Sequence, residues 1–427
     1  MHWRFVAQAA CVMALAMAAP AWADNTLTLD DAFARVIDTH PDLRVYAPRH
    51  EAMAARVDKA AQAPPLTLGA EIENALGTGD VRGLHSAEIT LSLSSVLERG
   101  GKREARQSLA RTRVLALDTE RNKTRLDLLA ETARRYLAVV ASRQQAVVAR
   151  DAVALRQRAV AAADKRHRAG AVPASVVLSA EAALAQAELG LARAEQSGRS
   201  ARRYLAALWG EHQAQFRVAD ADLRQLPTLE PFAVLVGWLD RNPAIRRFAD
   251  RQRIAEARLQ LAQTEAVTDI QWQVGVRRFQ LGGDVGVVGS VSIPLGSASR
   301  AAPDIRIARN EIEALSIQRE ASGMALYATL ADAHGRYQVA RLEVTRLGAD
   351  VLPRLAEAEQ AAARAWRAGA ATYAEWARLQ SLHVEARQRQ LAAALQARRA
   401  LIEIQRLTAR SWAMAADSAA SKQGDAA

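Results

Sequence analysis

Residues 66–73 read Leu-Thr-Leu-Gly-Ala-Glu-Ile-Glu, and residues 87–94 read Ala-Glu-Ile-Thr-Leu-Ser-Leu-Ser. Both stretches alternate apolar residues with small, polar or acidic ones. Because successive side chains of a β-strand point to opposite faces, this period of two predicts strands that have one apolar and one polar face. The segment between them is rich in glycine, so the two strands are expected to form a hairpin.

A second pair of alternating stretches follows at residues 270–277 and 285–293. We therefore expect four strands, at about 66–74, 87–96, 269–278 and 285–294. Their apolar faces allow two interpretations. The hairpins either pack on helices, or their strands lie in a membrane and face lipid. The flanking sequence is rich in arginine, which argues against a large apolar partner, and about 9–11 residues suffice for a membrane strand.

Strands in a membrane cannot leave their edges unpaired in lipid, so such a sheet must close into a barrel. Four strands are too few for this, because about eight is the smallest number in membrane barrels. On the membrane interpretation, the chain must combine its strands with those of other copies of itself.

Long helical sequence follows each hairpin. From Lys102 to Ala169 there is no glycine or proline, and the apolar residues have helical spacing, which predicts roughly 100 Å of helix at 1.5 Å per residue. Gly170 and Pro173 end that helix, and a second is predicted at about 174–208. The later half predicts helices at about 304–368 and 371–414. Such long antiparallel pairs need neighbouring helices to cover their apolar seams, as in coiled coils.

The two halves are related by duplication, because three motifs recur in order at an offset of about 200 residues. The pairs are Asp38-Thr39-His40-Pro41 with Asp240-Arg241-Asn242-Pro243, Tyr136 with Tyr337, and Arg168-Ala169-Gly170-Ala171 with Arg367-Ala368-Gly369-Ala370. We assign 24–209 to the first repeat, 210–231 to a linker, 232–415 to the second repeat and 416–427 to a disordered tail.

The first 23 residues have the pattern of an export signal. Arg4 is the only charged residue before Asp24, an apolar stretch follows it, and Ala21-Trp22-Ala23 has the small-x-small form of a cleavage site. Cys11, the only cysteine, lies within this segment. The mature chain is therefore expected to be exported and to contain no disulfide.

Composition and motifs exclude several classes of function. The chain carries 57 Lys and Arg against 46 Asp and Glu, for a net charge of +11, but no basic cluster is interleaved with aromatic residues as nucleic-acid binding would favour. There is no P-loop, dinucleotide fingerprint or His-Glu-x-x-His motif, and none of the eight histidines has the spacing of metal ligands. We expect no enzyme, and no catalytic, cofactor or metal site.

The chain resembles the TolC family of outer-membrane efflux proteins over nearly all of its mature length. Within that family it is similar to the CzcC-like branch of heavy-metal efflux, through Glu73-Asn74-Ala75-Leu76-Gly77-Thr78-Gly79 and Ser95-Val96-Leu97-Glu98-Arg99-Gly100-Gly101-Lys102-Arg103. That branch usually has an aromatic residue and an Arg-Asn pair after Pro294-Leu295, whereas this chain has Gly296-Ser297-Ala298-Ser299-Arg300.

The resemblance implies a mainly α fold with membrane β-strands. Three protomers would each give two strands per repeat to one 12-stranded barrel in the outer membrane, and their long coiled-coil helices would continue it as a periplasmic α-helical barrel. It also implies a homotrimer that works with a periplasmic adaptor (membrane fusion protein) and an inner-membrane RND-type pump. The adaptor would dock at the two helix turns, for which the candidate residues are Arg168, Gly170, Val172, Arg367, Gly369 and Ala371.

Two further sets of residues are candidates for roles in conduction. Glu71, Glu73 and Glu88 are expected to face the barrel lumen as acidic rings that favour cations, unless they merely keep the pore wet. Arg277 on the third strand would pair with these carboxylates and offset their charge. Gly348 and Pro353 predict a kink in the third long helix, which is either a gating hinge for residues 351–380 or a static bend.

The function expected from this pattern is a passive exit duct of a tripartite efflux system that conducts heavy-metal cations from pump and adaptor to the exterior. One alternative is a TolC-like duct for drugs or secreted polypeptides. Another, from a different class, is a soluble periplasmic coiled-coil scaffold or adaptor.

Overall fold

A computed structural model describes residues 26–410. The predicted export signal, 1–23, and the predicted tail, 416–427, lie outside the described residues. The described chain is mostly helical, with a four-stranded sheet and a separate two-stranded sheet.

The first repeat begins with short elements that sequence analysis did not assign. Its elements are β1 (Thr26–Leu27), α1 (Leu29–Thr39), α2 (Pro41–Arg44), α3 (Tyr46–Ala61), β2 (Thr67–Glu73), β3 (Glu88–Leu97), α4 (Lys102–Arg168) and α5 (Ala174–Ala206). The α4 helix has 67 residues, which corresponds to about 100 Å.

The second repeat follows the same order. Its elements are α6 (Phe232–Gly237), α7 (Pro243–Glu265), β5 (Ile270–Phe279), β6 (Val285–Ser292), α8 (Ser297–Arg346), a π-helical turn (Leu347–Val351), α9 (Leu352–Ala368) and α10 (Tyr373–Thr408). Between the repeats, β4 (Arg217–Val218) pairs in parallel with β1.

The large sheet is antiparallel throughout and has the strand order β2-β3-β5-β6. The two hairpins therefore lie side by side, joined where Leu91 pairs with Val276 and Leu97 pairs with Ile270. Within the described chain, β2 and β6 are left as edges, each with one side unpaired.

Two predicted helix boundaries are wrong, and one segment has a role that was not predicted. The third long helix begins at Ser297 and not near 304, because Gly296 starts it with a φ of +80° and Pro303 removes only one hydrogen bond from a 50-residue helix. The last helix ends at Thr408 and not at 414, because Ala409 takes a left-handed φ of +53°. The segment 210–231 is more than a linker, since it carries β4 and buries Phe216, Val218 and Leu223.

The motifs that identified the duplication have matching structural roles. Tyr136 donates its hydroxyl hydrogen bond to the carbonyl of Leu27 at 3.1 Å, and Tyr337 donates to the carbonyl of Pro227. Both tyrosines are buried, and their acceptors lie 200 residues apart. Each tyrosine therefore fastens the segment that opens its repeat to a long helix.

The repeated His-Pro and Asn-Pro motifs are helix starts. The His40 side chain accepts a hydrogen bond from the amide of Asp42 at 3.2 Å, and the Asn242 side chain accepts one from Ala244 at 2.8 Å. Proline follows as the first helical residue in both cases, where its missing N–H costs no helical hydrogen bond.

Candidate channel wall and tunnel end

The four-stranded sheet has an apolar face that nothing in the described chain covers. Leu68, Ile72, Leu91, Val274 and Val287 all project from this face and are between 51% and 86% exposed. Cross-strand pairing places such residues side by side, for example Leu68 with Leu93 and Val276 with Val287. A continuous exposed apolar surface of this kind fits a lipid environment and not water.

The opposite face is polar, and one arginine organises its hairpin end. Arg277 forms ion pairs with Glu73 at 2.6 Å and with Glu88 at 2.8 Å. Its Nε also donates to the hydroxyl of Thr90 at 2.9 Å. Glu73 and Glu88 therefore share one positive charge, which leaves the pair partly neutralised. Among the residues that the structure describes, Glu71 forms no ion pair.

Glycines lie across the middle of the polar face. Gly69 and Gly275 flank Ser92 in the register of three neighbouring strands. A Cβ on Gly275 would lie 2.6 Å from the carbonyl oxygen of Leu91, too close for any other residue without a shift of the backbone. The polar face therefore carries small residues at mid-sheet, and its charged side chains lie nearer the hairpin loops.

A buried ion pair joins the two repeats where the sheet gives way to helices. Lys102, 5% exposed, lies 2.7 Å from Asp269 and 3.5 Å from Glu265. Burial alone would raise the pKa of Asp269, but the hydrogen bonds from Lys102 and the Arg99 amide outweigh it, so its pKa lies below the ordinary range. The first residue of α4 is thereby fixed to the segment that begins β5.

The two helix turns lie next to each other at the far end of the long helices. Gly170 and Gly369 have φ values of +72° and +82°, the left-handed conformation that ends a helix and favours glycine. Arg166 donates to the carbonyl of Trp366, and its guanidinium lies 5.0 Å from the Trp366 ring centroid. One side chain therefore ties the first turn to the second.

The other predicted turn residues have modest contacts. Arg168 pairs with Asp164 at 2.7 Å and is largely exposed, and the carbonyl of Val172 contacts His167 at 2.9 Å. The exposed Arg367 donates to the carbonyl of Ala363 at 3.1 Å, while Ala371 packs at the edge of an apolar cluster. Only the backbones of the two turns are strongly constrained.

That apolar cluster is centred on aromatic side chains of the second turn, which sequence analysis did not single out. Trp366 stacks on Trp376 with ring centroids 5.1 Å apart, and Tyr373 packs edge-on against both. Burial raises the pKa of the Tyr373 hydroxyl, although nearby Arg156 partly counters it. The sequence could have predicted this cluster, because Trp366, Tyr373 and Trp376 flank Gly369 with helical spacing.

The predicted kink takes the form of a π-helical turn. The amide of Leu352 donates to the carbonyl of Leu347, one residue further back than in an α-helix. Pro353 follows directly, and in a regular α-helix its ring would clash with the carbonyl of Ala349, four residues earlier. From α10, Gln390 donates to the Val344 carbonyl at 3.2 Å, and a Cβ on Gly348 would lie 2.7 Å from that amide nitrogen.

Within residues 26–410, no group of three His, Cys, Asp or Glu side chains is placed to hold a metal ion. The described geometry consists of a wall with two distinct faces, a helical extension and a pair of adjoining turns.

Residues 34–211 match the family model described as outer membrane efflux protein. The chain is 28% identical over 323 residues to the cobalt-zinc-cadmium resistance protein CzcC of Cupriavidus metallidurans, covering 75% of this chain and 77% of that protein. Its fold matches that of CusC with a TM-score of 0.76 and 16% identity, covering 90% and 92% of the two chains. It also matches VceC of Vibrio cholerae with a TM-score of 0.72 and 17% identity, covering 89% and 95%.

The sheet, the long helices and the paired turns define the protomer of a TolC-like channel, with a β-barrel and an α-helical barrel. Residues 34–211 place the first repeat in the outer membrane efflux protein family, and the alignment with CzcC extends over 75% of the chain. This confirms the predicted family, fold class and location in the outer membrane with a large periplasmic part. The family and the solved structures are passive channels and not enzymes.

Proposed function

We propose that this efflux channel is the exit duct of a tripartite system that carries heavy-metal cations from a periplasmic adaptor and an inner-membrane RND-type pump to the exterior. The observation that carries the proposal is the two-faced sheet, apolar outside and polar inside, placed at one end of helices about 100 Å long. The 28% identity to a cobalt-zinc-cadmium resistance protein favours metal cations over drugs or polypeptides.

Two features of the protomer support a homotrimer. The edges of the sheet, β2 and β6, cannot stay open in lipid, and three copies would supply twelve strands. The α5 helix packs chiefly on α4. Together with the turn that follows it, it forms the span Ala174–Trp209, which is long and apolar enough to cross a membrane by composition, and only 6% of the most apolar stretch of that span is buried. The α8 helix packs on α7 and α10 and exposes Ile307 and Ile317, so two unlike helices can meet between protomers and close a ring.

The lumen chemistry fits cations without strong selectivity. In the proposed trimer each protomer contributes Glu71 with a free carboxylate, while Glu73 and Glu88 share Arg277. The trimer would therefore have a negatively charged ring at the level of Glu71. Beside it lies a second ring, formed by Glu73 and Glu88, whose charge Arg277 partly neutralises. Such a lumen attracts cations weakly and lets them pass.

The substrate can be tested by deleting the gene and measuring tolerance to zinc, cobalt, cadmium, copper and organic drugs, with the wild-type gene returned on a plasmid as control. We expect lower tolerance to one or more of the metals and unchanged tolerance to the drugs. Loss of drug tolerance alone would assign the duct to organic substrates. Fractionation of the same cells separates the classes, since a soluble periplasmic monomer would contradict any channel.

We propose that the π-helical turn is a hinge for the second-repeat pair of helices beyond it. Replacing Gly348 and Pro353 together by Ala restores one helical hydrogen bond and displaces Gln390, so the helix should straighten. We expect a changed single-channel conductance of the purified protein in planar bilayers. Contacts such as Arg156 with Gln380 at 2.9 Å must shift with any such movement.

The matched control is the double substitution Val147→Ala and Ala152→Ser in α4, which changes two side chains but no helix-breaking residue. It should leave conductance unchanged. If the straightened variant folds and conducts like wild type, the π-helical turn only shapes the taper of the tunnel.

A further inference from the structure

A cavity of about 340 Å³ lies between α4, α5 and β4, away from both the sheet and the helix turns. Five of its lining side chains are arginines: Arg143, Arg150, Arg199, Arg202 and Arg217. The only acidic residue in its lining is Glu195. Neither conduction nor docking at the turns uses these residues.

The floor of the cavity is made by a close approach of two helices. Gly198 is buried in α5, and a Cβ at this position would lie 3.3 Å from the hydroxyl of Ser142 on α4. Val139, Ala146 and Val218 complete an apolar floor. Glycine within a helix is destabilising relative to alanine, and here it leaves room between the helices.

Two of the arginines already have acidic partners. Arg143 lies 2.8 Å from Asp220 and also donates to the carbonyl of Val218 at 3.1 Å. Arg150 is 3.7 Å from Glu195, and both side chains are about half exposed, so this pair is weak.

The remaining three arginines have no carboxylate partner in the described part of the chain. Arg199 donates only to the neutral side chain of Gln196, at 2.7 and 3.0 Å. The side chains of Arg202 and Arg217 form no hydrogen bond or ion pair with any residue in 26–410. Five guanidinium groups therefore face two carboxylates, Glu195 and Asp220, which leaves a local charge of +3.

This basic cavity is not a by-product of the duplication. Arg398, which is 4% exposed, lies 199 residues after Arg199, the same offset that separates Gly170 from Gly369. Arg398 donates to the carbonyls of Asp222, Leu223 and Gln225. The second repeat thus uses this arginine to hold the connecting segment, whereas Arg199 in the first repeat lines the cavity.

We infer that the cavity is a binding site for an oxyanion group, a carboxylate or a phosphate, of a periplasmic ligand. The planar guanidinium group pairs with both through two parallel hydrogen bonds. Like charges held together repel each other, and a bound anion removes that cost. The volume suits a phosphate ion or the carboxylate end of a short peptide, and two sources have this chemistry: free inorganic phosphate and the peptide carboxylates of the cell wall.

The test uses the purified full-length protein in detergent at low salt and the double variant Arg202→Gln with Arg217→Gln. Inorganic phosphate is titrated calorimetrically, and isolated peptidoglycan sacculi are used in cosedimentation. We expect wild-type protein to bind in at least one arm, and the variant to bind at least tenfold more weakly in that arm. Binding of phosphate alone identifies the free ion, and cosedimentation alone identifies the cell wall.

The matched control is Arg121→Gln with Arg125→Gln, which removes the same charge from exposed positions on α4. It should bind like wild type. The inference is overturned if wild-type protein binds in neither arm or if both variants lose binding equally. It is also overturned if the Arg202 and Arg217 variant loses its oligomer on unheated gels, because these arginines would then pair with a neighbouring protomer.

Discussion

Arginine at both Leu91 and Val274 is expected to remove the assembled channel from the outer membrane. These side chains are 56% and 51% exposed on the apolar face, near the middle of β3 and β5. An arginine at mid-bilayer on a barrel's lipid face costs roughly 2–4 kcal/mol, so the pair costs about 4–8 kcal/mol per protomer by the same principle. The measurement is the yield of heat-modifiable oligomer in outer-membrane fractions.

The control places arginine at Ser92 and Gln273, the adjacent positions on the polar face. Ser92 lies between Gly69 and Gly275 in the cross-strand register, so a longer side chain there can extend over small neighbours. Oligomer yield should stay within about twofold of wild type, which corresponds to under 1 kcal/mol. Equal losses from both double variants would show that the assignment of the two faces is wrong.

Tryptophan at Gly170 or Gly369 is expected to abolish efflux while leaving the oligomer in the membrane. Both turns are exposed, and a Cβ on Gly170 meets no atom within 4 Å. The left-handed conformation costs another residue about 1–2 kcal/mol, which helices of this length can tolerate. The loss of function would come from the bulk of the indole at the surface where we propose that the adaptor docks.

Asparagine at the same two positions separates backbone strain from bulk, because it tolerates the left-handed conformation better than most residues. Efflux, measured as metal tolerance, should survive Gly170→Asn and fail with Gly170→Trp. A thiol crosslinker adds a direct readout, since the only cysteine of the chain is Cys11. Cysteine at Ala171 or Ala370 should capture the adaptor, and capture only at the mid-helix position Val147 would contradict docking at the turns.

Much of the fold could be predicted because it depends on periodicity. The alternation at residues 66–73 and 87–94 determines both the strands and which side chains share a face. The absence of glycine and proline from Lys102 to Ala169 predicts one continuous helix, and the structure has it to Arg168. The turns at Gly170 and Gly369 follow from the requirement for a left-handed residue.

The parts that could not be predicted depend on contacts between distant segments. Nothing in the local sequence shows that Arg166 reaches the Trp366 carbonyl or that Gln390 covers the carbonyl of Val344. A proline predicts a bend, but the choice of a π-helical turn depends on the room that Gly348 leaves for Gln390. The segment 210–231 looked like a linker because its strand has two residues and gains its stability from β1.

The strand order β2-β3-β5-β6 has a consequence for how the chain is made. The central pairing joins Leu97 to Ile270, so the first hairpin has no neighbour until the second half has crossed the inner membrane. Pairings between segments so far apart in sequence form slowly, and in the meantime an apolar strand edge is available for aggregation. The α5 and α7 helices reduce this delay, because both pack on α4 and together they return the chain to the level of β3, where β5 begins. A chain whose synthesis stops before β5 would keep an unpaired apolar strand edge that can pair with other chains. The second repeat is therefore needed to avoid aggregation during export as well as for conduction.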